Sequence, residues 1–145
     1  MYQTHDEDFN LGQTSFECGR RNNALKFWTM WKAIGTNGIA KIVEHEFSLA
    51  DTARNYVNSN SDYTLYSFKD SLSVCFNYKD FDPEDLCTKL YGSNTLMVGF
   101  GHFHDNGFVR LVTINGENTH EDLKHFFNVL EKFANENADS IKRIS

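Results

Sequence analysis

The sequence of 145 residues predicts an α+β fold, in which a short antiparallel sheet carries helices on one of its faces. Three observations support this prediction. The apolar patterns run in the order helix, helix, strand, strand, helix, strand, strand, helix. The strand-forming runs within each pair are separated by only four residues, which suits antiparallel pairing. The last helix has the strongest apolar stripe of the chain, so it must pack against another layer.

The first helical segment, residues 24–34, is crowded with large apolar side chains on all sides. Asn22 and Asn23 precede this segment and Gly35 follows it, as expected at helix ends. A helix that is apolar all round needs cover on several sides, which is more surface than a chain of this length readily provides. The segment therefore indicates an interface with something else. Its apolar members are Leu25, Phe27, Trp28, Met30, Trp31 and Ile34.

A second helix follows a glycine-rich break. Residues 35–38, which include Gly35 and Gly38, are expected to break or kink the helix, and a broad apolar stripe over residues 39–57 predicts a second one. Polar residues 58–61 end it, because their side chains compete for backbone hydrogen bonds.

Two strands and a third helix come next. Residues 63–68 and 73–78 are rich in strand formers. Asp82 followed by Pro83 is typical of a helix start, with a capping carboxylate and a proline whose missing N–H costs nothing in the first turn. We expect this helix to stop at Gly92.

A second strand pair and the last helix complete the fold. Residues 95–103 and 108–114 predict strands, and Gly107 is expected to take a positive φ in the turn between them. Thr119 and Asp122 form a near capping box at the start of the last helix. Its stripe has helical spacing and consists of Leu123, Phe126, Phe127, Leu130, Phe133 and Ala134.

Composition excludes several classes of function. The formal net charge of −6 disfavours nucleic acid as a partner, because that binding relies on cations that neutralise phosphates. No apolar run approaches the ~20 residues that a membrane span needs. The number of cysteines is odd, and the three residues, Cys18, Cys75 and Cys87, lack CxxC spacing. This favours reduced thiols in a cytoplasmic protein over a disulfide framework.

The sequence gives only weak support for two further candidate sites, a reactive cysteine and a metal site. Cys18 precedes Arg20 and Arg21, whose charges would lower a thiol pKa, but no histidine lies nearby in sequence to act as its base. His102 and His104 alternate on a putative strand, so both would point the same way. A metal site needs three or four converging ligands, and the sequence places no third one there. We therefore predict no metal site.

Arg110 is the residue that a purely structural reading explains least well. It interrupts a strand whose other members, in residues 108–112, are strongly apolar. An unpaired guanidinium is almost never buried, because its desolvation costs several kcal/mol. Arg110 therefore faces solvent, pairs with a carboxylate of the protein, or binds the carboxylate of a ligand, for which its planar fork is suited.

Several motifs together resemble one enzyme family. The residues that carry this resemblance are the runs 18–21, 25–28, 30–33, 74–78, 108–112 and 118–122, together with Gly35 and Gly38. In these runs the sequence is similar to the C-terminal part of the group II pyridoxal-phosphate-dependent amino-acid decarboxylases, in the branch that acts on glutamate, aspartate and cysteine sulfinate. The likeness extends over nearly the whole chain in the right order.

The resemblance implies a fold and a domain organisation. The chain would contain the small C-terminal α+β domain of a fold-type I enzyme, preceded by long connecting helices. Residues 1–34 would be the end of the large domain and an aromatic docking helix, 35–60 the connecting helix, 61–137 the C-terminal domain and 138–145 a polar tail. Apart from the resemblance, the polar composition from Asn135 onward predicts that the end of the chain frays. Arg110 matches the arginine that holds the α-carboxylate of the substrate.

The departures from the family pattern limit what this chain is expected to do alone. The family's Schiff-base lysine follows a histidine, and no His-Lys pair occurs in the sequence. The resemblance therefore implies that this chain holds no catalytic residue and no residue that binds the cofactor covalently. Pyridoxal phosphate would be bound by a large domain in the same or a separate chain. The expected assembly is a homodimer. A non-catalytic interaction module derived from the family is the alternative, and a regulatory domain that binds a carboxylate is a weaker one.

Overall fold

A computed structural model describes residues 22–144 of the chain. These residues form two compact units, which divide between Ile39 and Ala40. The first helix, α1 (Asn23–Ser59), bends at Gly35, whose φ of 69° and ψ of 174° lie outside the helical region. The predicted break between two helical segments is therefore a kink, and glycine adopts this positive φ without steric cost.

The beginning of α1 is both apolar and exposed, as its composition predicted. Six large apolar side chains each expose at least 41% of their surface. Phe27 and Trp31 contact each other edge to face, with ring centroids 5.3 Å apart. We call this set the aromatic helix face, and its members are Leu25, Phe27, Trp28, Met30, Trp31 and Ile34. No helix within residues 22–144 is long and apolar enough to cross a bilayer.

The second unit contains a four-stranded sheet in which every neighbouring pair is antiparallel. The strand order is β1-β2-β4-β3, so the last two strands form a hairpin at one edge. The elements are β1 (Tyr63–Leu65), β2 (Ser73–Tyr78), α2 (Pro83–Gly92), β3 (Gly99–Phe103), β4 (Asn106–Val112) and α3 (His120–Glu136).

The core lies on one face of this sheet. Val74, Phe76 and Val109 point from the strands into it, and each is fully buried. The end of α1, together with α2 and α3, supplies the opposing apolar side chains, of which Phe127 is 1% exposed. The predicted α+β class, with an antiparallel sheet and helices on one face, is confirmed.

Both predicted helix starts are confirmed. The Asp82 carboxylate accepts a hydrogen bond from the backbone N–H of Asp85 at 2.9 Å, with Pro83 in the first turn of α2. At α3, Thr119 Oγ1 accepts from the Asp122 N–H at 3.2 Å, and the Asp122 carboxylate accepts from the Thr119 N–H at 2.8 Å. This reciprocal pair satisfies two N–H groups that the helix itself leaves without partners.

Two strands are shorter than predicted. β1 ends at Leu65, although the N–H of Tyr66 still donates to the carbonyl of Cys75 at 2.8 Å. β3 begins at Gly99 rather than at residue 95. Strand-forming residues next to a turn do not extend a strand when no partner strand lies beside them.

The hairpin turn was predicted with the positive φ at the wrong residue. His104 takes the positive φ, at 52°, whereas Gly107 lies within β4. A Cβ at Gly107 would lie 3.2 Å from Nε2 of His102 and from Cδ of Pro83. Glycine is therefore needed there for close packing and not for the turn.

The expectation that the chain frays after Asn135 is also wrong for the described residues. Ile141 is 4% exposed and belongs to the core. Arg143 forms a β-bridge with Phe81, and its guanidinium carbon lies 4.7 Å from the centre of the Phe81 ring. One buried isoleucine in a polar segment gives too weak a pattern for sequence reasoning to detect.

Candidate functional site

The face of the sheet opposite the helices holds the candidate site. Side chains alternate along a strand, so the burial of Val74, Phe76 and Val109 on one side directs Cys75, Phe108 and Arg110 to the other. Within the second unit, residues 40–144, no helix covers this side. We call it the open face, and its central members are Tyr66, Ser73, Cys75, Phe103, Phe108 and Arg110.

Arg110 occupies the middle of the open face. It pairs with Cys75 of β2 on one side and with Gly99 of β3 on the other. The side chain is exposed, and no carboxylate of residues 22–144 lies within 4.0 Å of its guanidinium. The sequence left three interpretations of Arg110 open: solvent exposure, pairing with a carboxylate of the protein, or binding of a ligand. Pairing with a carboxylate of the described residues is thus excluded. The guanidinium is positioned to contact solvent or a ligand.

The cysteines differ in their environments. Cys87 is buried, and burial raises the pKa of its thiol to about 12. Cys75 is only half-buried, on the open face. Burial raises the pKa of Cys75, and the positive charge of Arg110 partly opposes this increase. Both thiols therefore stay protonated near neutral pH. Cys18 lies outside the described residues.

A cavity of about 500 Å³ adjoins these residues on the open face. Aromatic rings dominate its lining, and Tyr66 contacts Phe108 with ring centroids 6.4 Å apart. Ser67 Oγ is buried at this cavity without a hydrogen-bond partner among the described residues. The remaining lining residues are Phe68, Ser71, Ser73, Cys75, His102, Phe103 and Asn106.

The cavity does not fit pyridoxal phosphate. Its lining residues include serine, cysteine, histidine and asparagine but neither lysine nor arginine. A Schiff base needs an amine, and a phosphate group is normally held by cations or by a row of backbone N–H groups. Lys79 and Lys89, elsewhere in the second unit, pair with Asp62 and Asp85.

Sequence reasoning missed this cavity because its two walls are far apart in the chain. One wall follows β1, around Phe68, and the other is the hairpin end near Phe103. The available signal was a large aromatic side chain beside each polar turn. Phe68 and Phe103 expose 73% and 67% of their surface.

The two histidines considered as metal ligands do not share a strand face. His102 lies in β3, whereas His104 is in the turn, where its ring contacts Phe103 with centroids 4.3 Å apart. In the part of the chain that the structure describes, no three His, Cys, Asp or Glu side chains are grouped in a way that could hold a metal ion.

Comparison with solved structures supports the fold. The chain is similar to a crystal structure of mouse CSAD, with a TM-score of 0.71 and 22% identity, covering 90% of this chain and 31% of that one. It is equally similar to Oryza sativa TDC solved with PLP and tryptamine, with a TM-score of 0.71 and 15% identity, covering 87% and 29%. At these identities the likeness establishes the fold.

Comparison with characterised sequences points to the same family. The chain is 27% identical to the mouse acidic amino acid decarboxylase GADL1 over 137 residues, covering 82% of this chain and 25% of the relative. It is 25% identical to human cysteine sulfinic acid decarboxylase, covering 88% and 30%. The chain thus spans about a quarter to three tenths of the length of these relatives.

The family assignment follows from a match that covers more than half of the chain. Residues 2–79 match the pyridoxal-dependent decarboxylase conserved domain. This stretch contains α1 and the first two strands, and the relatives and solved structures extend the likeness over the rest of the fold. The chain therefore belongs to the pyridoxal-dependent decarboxylase family, as its sequence motifs predicted.

Proposed function

We propose that this chain is the part of a pyridoxal-phosphate-dependent amino-acid decarboxylase that binds the α-carboxylate of the substrate through Arg110. The observation that carries the proposal is the exposed guanidinium at the centre of the open face, with no described carboxylate within 4.0 Å. We propose an acidic amino acid as substrate, such as glutamate, aspartate or cysteine sulfinate. The names of the relatives support this choice.

The chemical task of Arg110 follows from its shape. A guanidinium donates two parallel N–H bonds to one carboxylate, which fixes both the position and the plane of that group. Holding the α-carboxylate in one plane fixes the direction of the bond that is to break, and such orientation supplies a large share of many rate enhancements. Arg110 would act by binding and orienting the substrate.

We further propose that cofactor binding and bond cleavage need a pyridoxal-phosphate-binding portion, in the same polypeptide or in a second chain. The limited share of the relatives that this chain spans supports this view, as does the absence of lysine from the open-face cavity. Alone, the chain is expected to be inactive. We place the assembled protein in the cytoplasm because the described cysteines, Cys75 and Cys87, are free thiols.

The aromatic helix face supports a second proposal, which concerns assembly. Apolar patches of this kind mark interfaces, and we propose that this one contacts the cofactor-binding portion or a second copy in a homodimer. A non-catalytic interaction module would use the same face. Analytical ultracentrifugation of the chain should show self-association, and a monomer at all concentrations would contradict this role of the face.

The test of the decarboxylase proposal combines this chain with the cofactor-binding portion of its own protein, fused or mixed. Arg110→Ala should lower CO₂ release from acidic amino acids by about 10²-fold, because the carboxylate is no longer oriented. The absorption band of the bound cofactor should not change. Lys132→Ala, which removes an exposed cation from α3, is the matched control and should keep full activity. Full activity of Arg110→Ala would refute the proposal.

A further inference from the structure

On the open face, β3 carries no side chain beside Arg110 or Phe108. Residues directly opposite each other in an antiparallel pair project from the same face, so Gly99 lies beside Arg110 and Gly101 lies beside Phe108. Both positions that could place a side chain next to these residues are glycines. Glycine weakens a strand, so two glycines on one face of one strand need a reason.

The backbone does not supply that reason. Gly35 is the only glycine of residues 22–144 with a positive φ, so β3 at Gly99 and Gly101 follows a path that any residue can adopt. The reason must be the space that the missing side chains leave.

Each space is occupied by a side chain from β4. A Cβ at Gly101 would lie 2.9 Å from Cε2 of Phe108, so the ring lies directly over this glycine. A Cβ at Gly99 would lie 3.7 Å from the backbone carbonyl oxygen of Arg110 and 3.9 Å from both Nε and Nη2 of its side chain. The guanidinium therefore extends over β3, at a distance where a methyl group would touch it and a larger group would displace it.

The far side of the strand is anchored at the same residue. The Cys87 thiol, from α2, donates a hydrogen bond to the carbonyl oxygen of Gly99 at 3.7 Å. This bond attaches β3 to α2 at the residue that is the register partner of Arg110. On the other flank of Arg110, Cys75 fills the corresponding position of β2 with a side chain. The difference in size between Cys75 and Gly99 directs the guanidinium toward β3.

We propose that Gly99 is a positioning residue for Arg110. Because Gly99 has no side chain, the guanidinium can lie over β3, and this sets where it meets a carboxylate. The inference rests on the proposed function of Arg110 and deepens it. The Phe108 ring lies over Gly101 and contacts Tyr66, so it forms a wall beside the place where the guanidinium would meet the carboxylate.

The experiment follows the Arg110 Nε–Hε signal by NMR in the intact ¹⁵N-labelled chain, assigned by its loss in Arg110→Lys. The heteronuclear NOE of this signal should fall in Gly99→Val, because the displaced guanidinium becomes mobile, and should be nearly unchanged in Gly99→Ala. Titration with L-glutamate should give an apparent Kd about 10-fold higher for Gly99→Val than for the parent.

Thr64→Val is the matched control, because it places the same side chain on the opposite edge strand of the sheet. It should change neither the NOE nor the titration. The inference would be overturned if the Arg110 signal of Gly99→Val had the same NOE as in the parent chain and the same apparent Kd for L-glutamate. If glutamate leaves the parent signal unchanged while Gly99→Val still lowers the NOE, the positioning stands and the carboxylate role of Arg110 fails.

Discussion

The two faces of the sheet have opposite properties. On the helix side, Phe76, Val74 and Val109 are fully buried and meet a closed apolar core. On the open face, Arg110 is exposed, two glycines leave space beside it and the adjoining cavity has aromatic walls. Both faces are built from the same strands, so alternate residues serve different purposes.

This difference indicates how the fold separates stability from binding. Substitutions on the helix side remove packing and should change the free energy of unfolding. Substitutions on the open face remove groups that contact little within the described residues, so they should change binding while stability is nearly constant. This division between stability and binding is wrong if substitutions on the two faces change the free energy of unfolding equally.

The largest expected effect on stability is at Phe127. Its ring stacks on Tyr56 with centroids 4.2 Å apart and contacts Tyr63 and Phe76. Phe127→Ala should lower the free energy of unfolding by about 3–5 kcal/mol, measured by urea denaturation, because it leaves a cavity in the core. Phe103→Ala, on the open face, should change it by less than about 0.5 kcal/mol. Equal losses would contradict the division between the faces.

A smaller effect is expected at alkaline pH, from two tyrosines that donate to one carboxylate. Tyr56 and Tyr63 hydroxyls lie 2.7 and 2.9 Å from Oε1 of Glu131. Burial, followed by the bond to Glu131, raises the pKa of Tyr56 to about 12, and the same causes raise the pKa of Tyr63.

The sign follows from proton counting. In the unfolded chain tyrosines lose their protons near pH 10, whereas the folded protein keeps them to higher pH. The unfolded state then binds fewer protons, so the free energy of unfolding should fall as pH rises from about 10 to about 12. Tyr63→Phe should flatten this decline in urea titrations. An unchanged slope would show that Tyr63 does not contribute to it.

The smallest effect is expected at the capping box of α3. Thr119→Ala removes the oxygen that accepts from the Asp122 N–H, and it should cost about 1 kcal/mol of stability. The hydrogen bonds from Thr119 hold the pKa of Asp122 below its ordinary range, so acidification should weaken the cap. Thr119→Ser should restore most of the loss, and Thr119→Ala with parent stability would contradict the role of the cap.

The fold was predictable where the signal was local. Capping residues at Asp82 and Thr119 and the stripe of α3 located two helices correctly, because these patterns depend on neighbours in sequence. The burial of Ile141 and the need for glycine at position 107 depend on contacts with distant segments, so no local pattern indicates them.

The candidate site was predictable only in part. Arg110 was identified because a charge in an apolar strand violates the pattern around it. The space over Gly99 and the buried Ser67 hydroxyl could not be predicted, because strand register and the fold of the segment after β1 decide them. Family resemblance supplied the chemical role of Arg110, which remains a prediction.

The central claim is that the guanidinium of Arg110 orients the substrate carboxylate. Its most direct test is the rate of CO₂ release by the assembled protein carrying Arg110→Ala, measured as free guanidinium is added. The account predicts a rate about 10²-fold below the parent that rises with guanidinium and does not rise with ammonium, because only guanidinium presents the planar pair of N–H donors. A variant that releases CO₂ at the parent rate before any guanidinium is added would contradict the account.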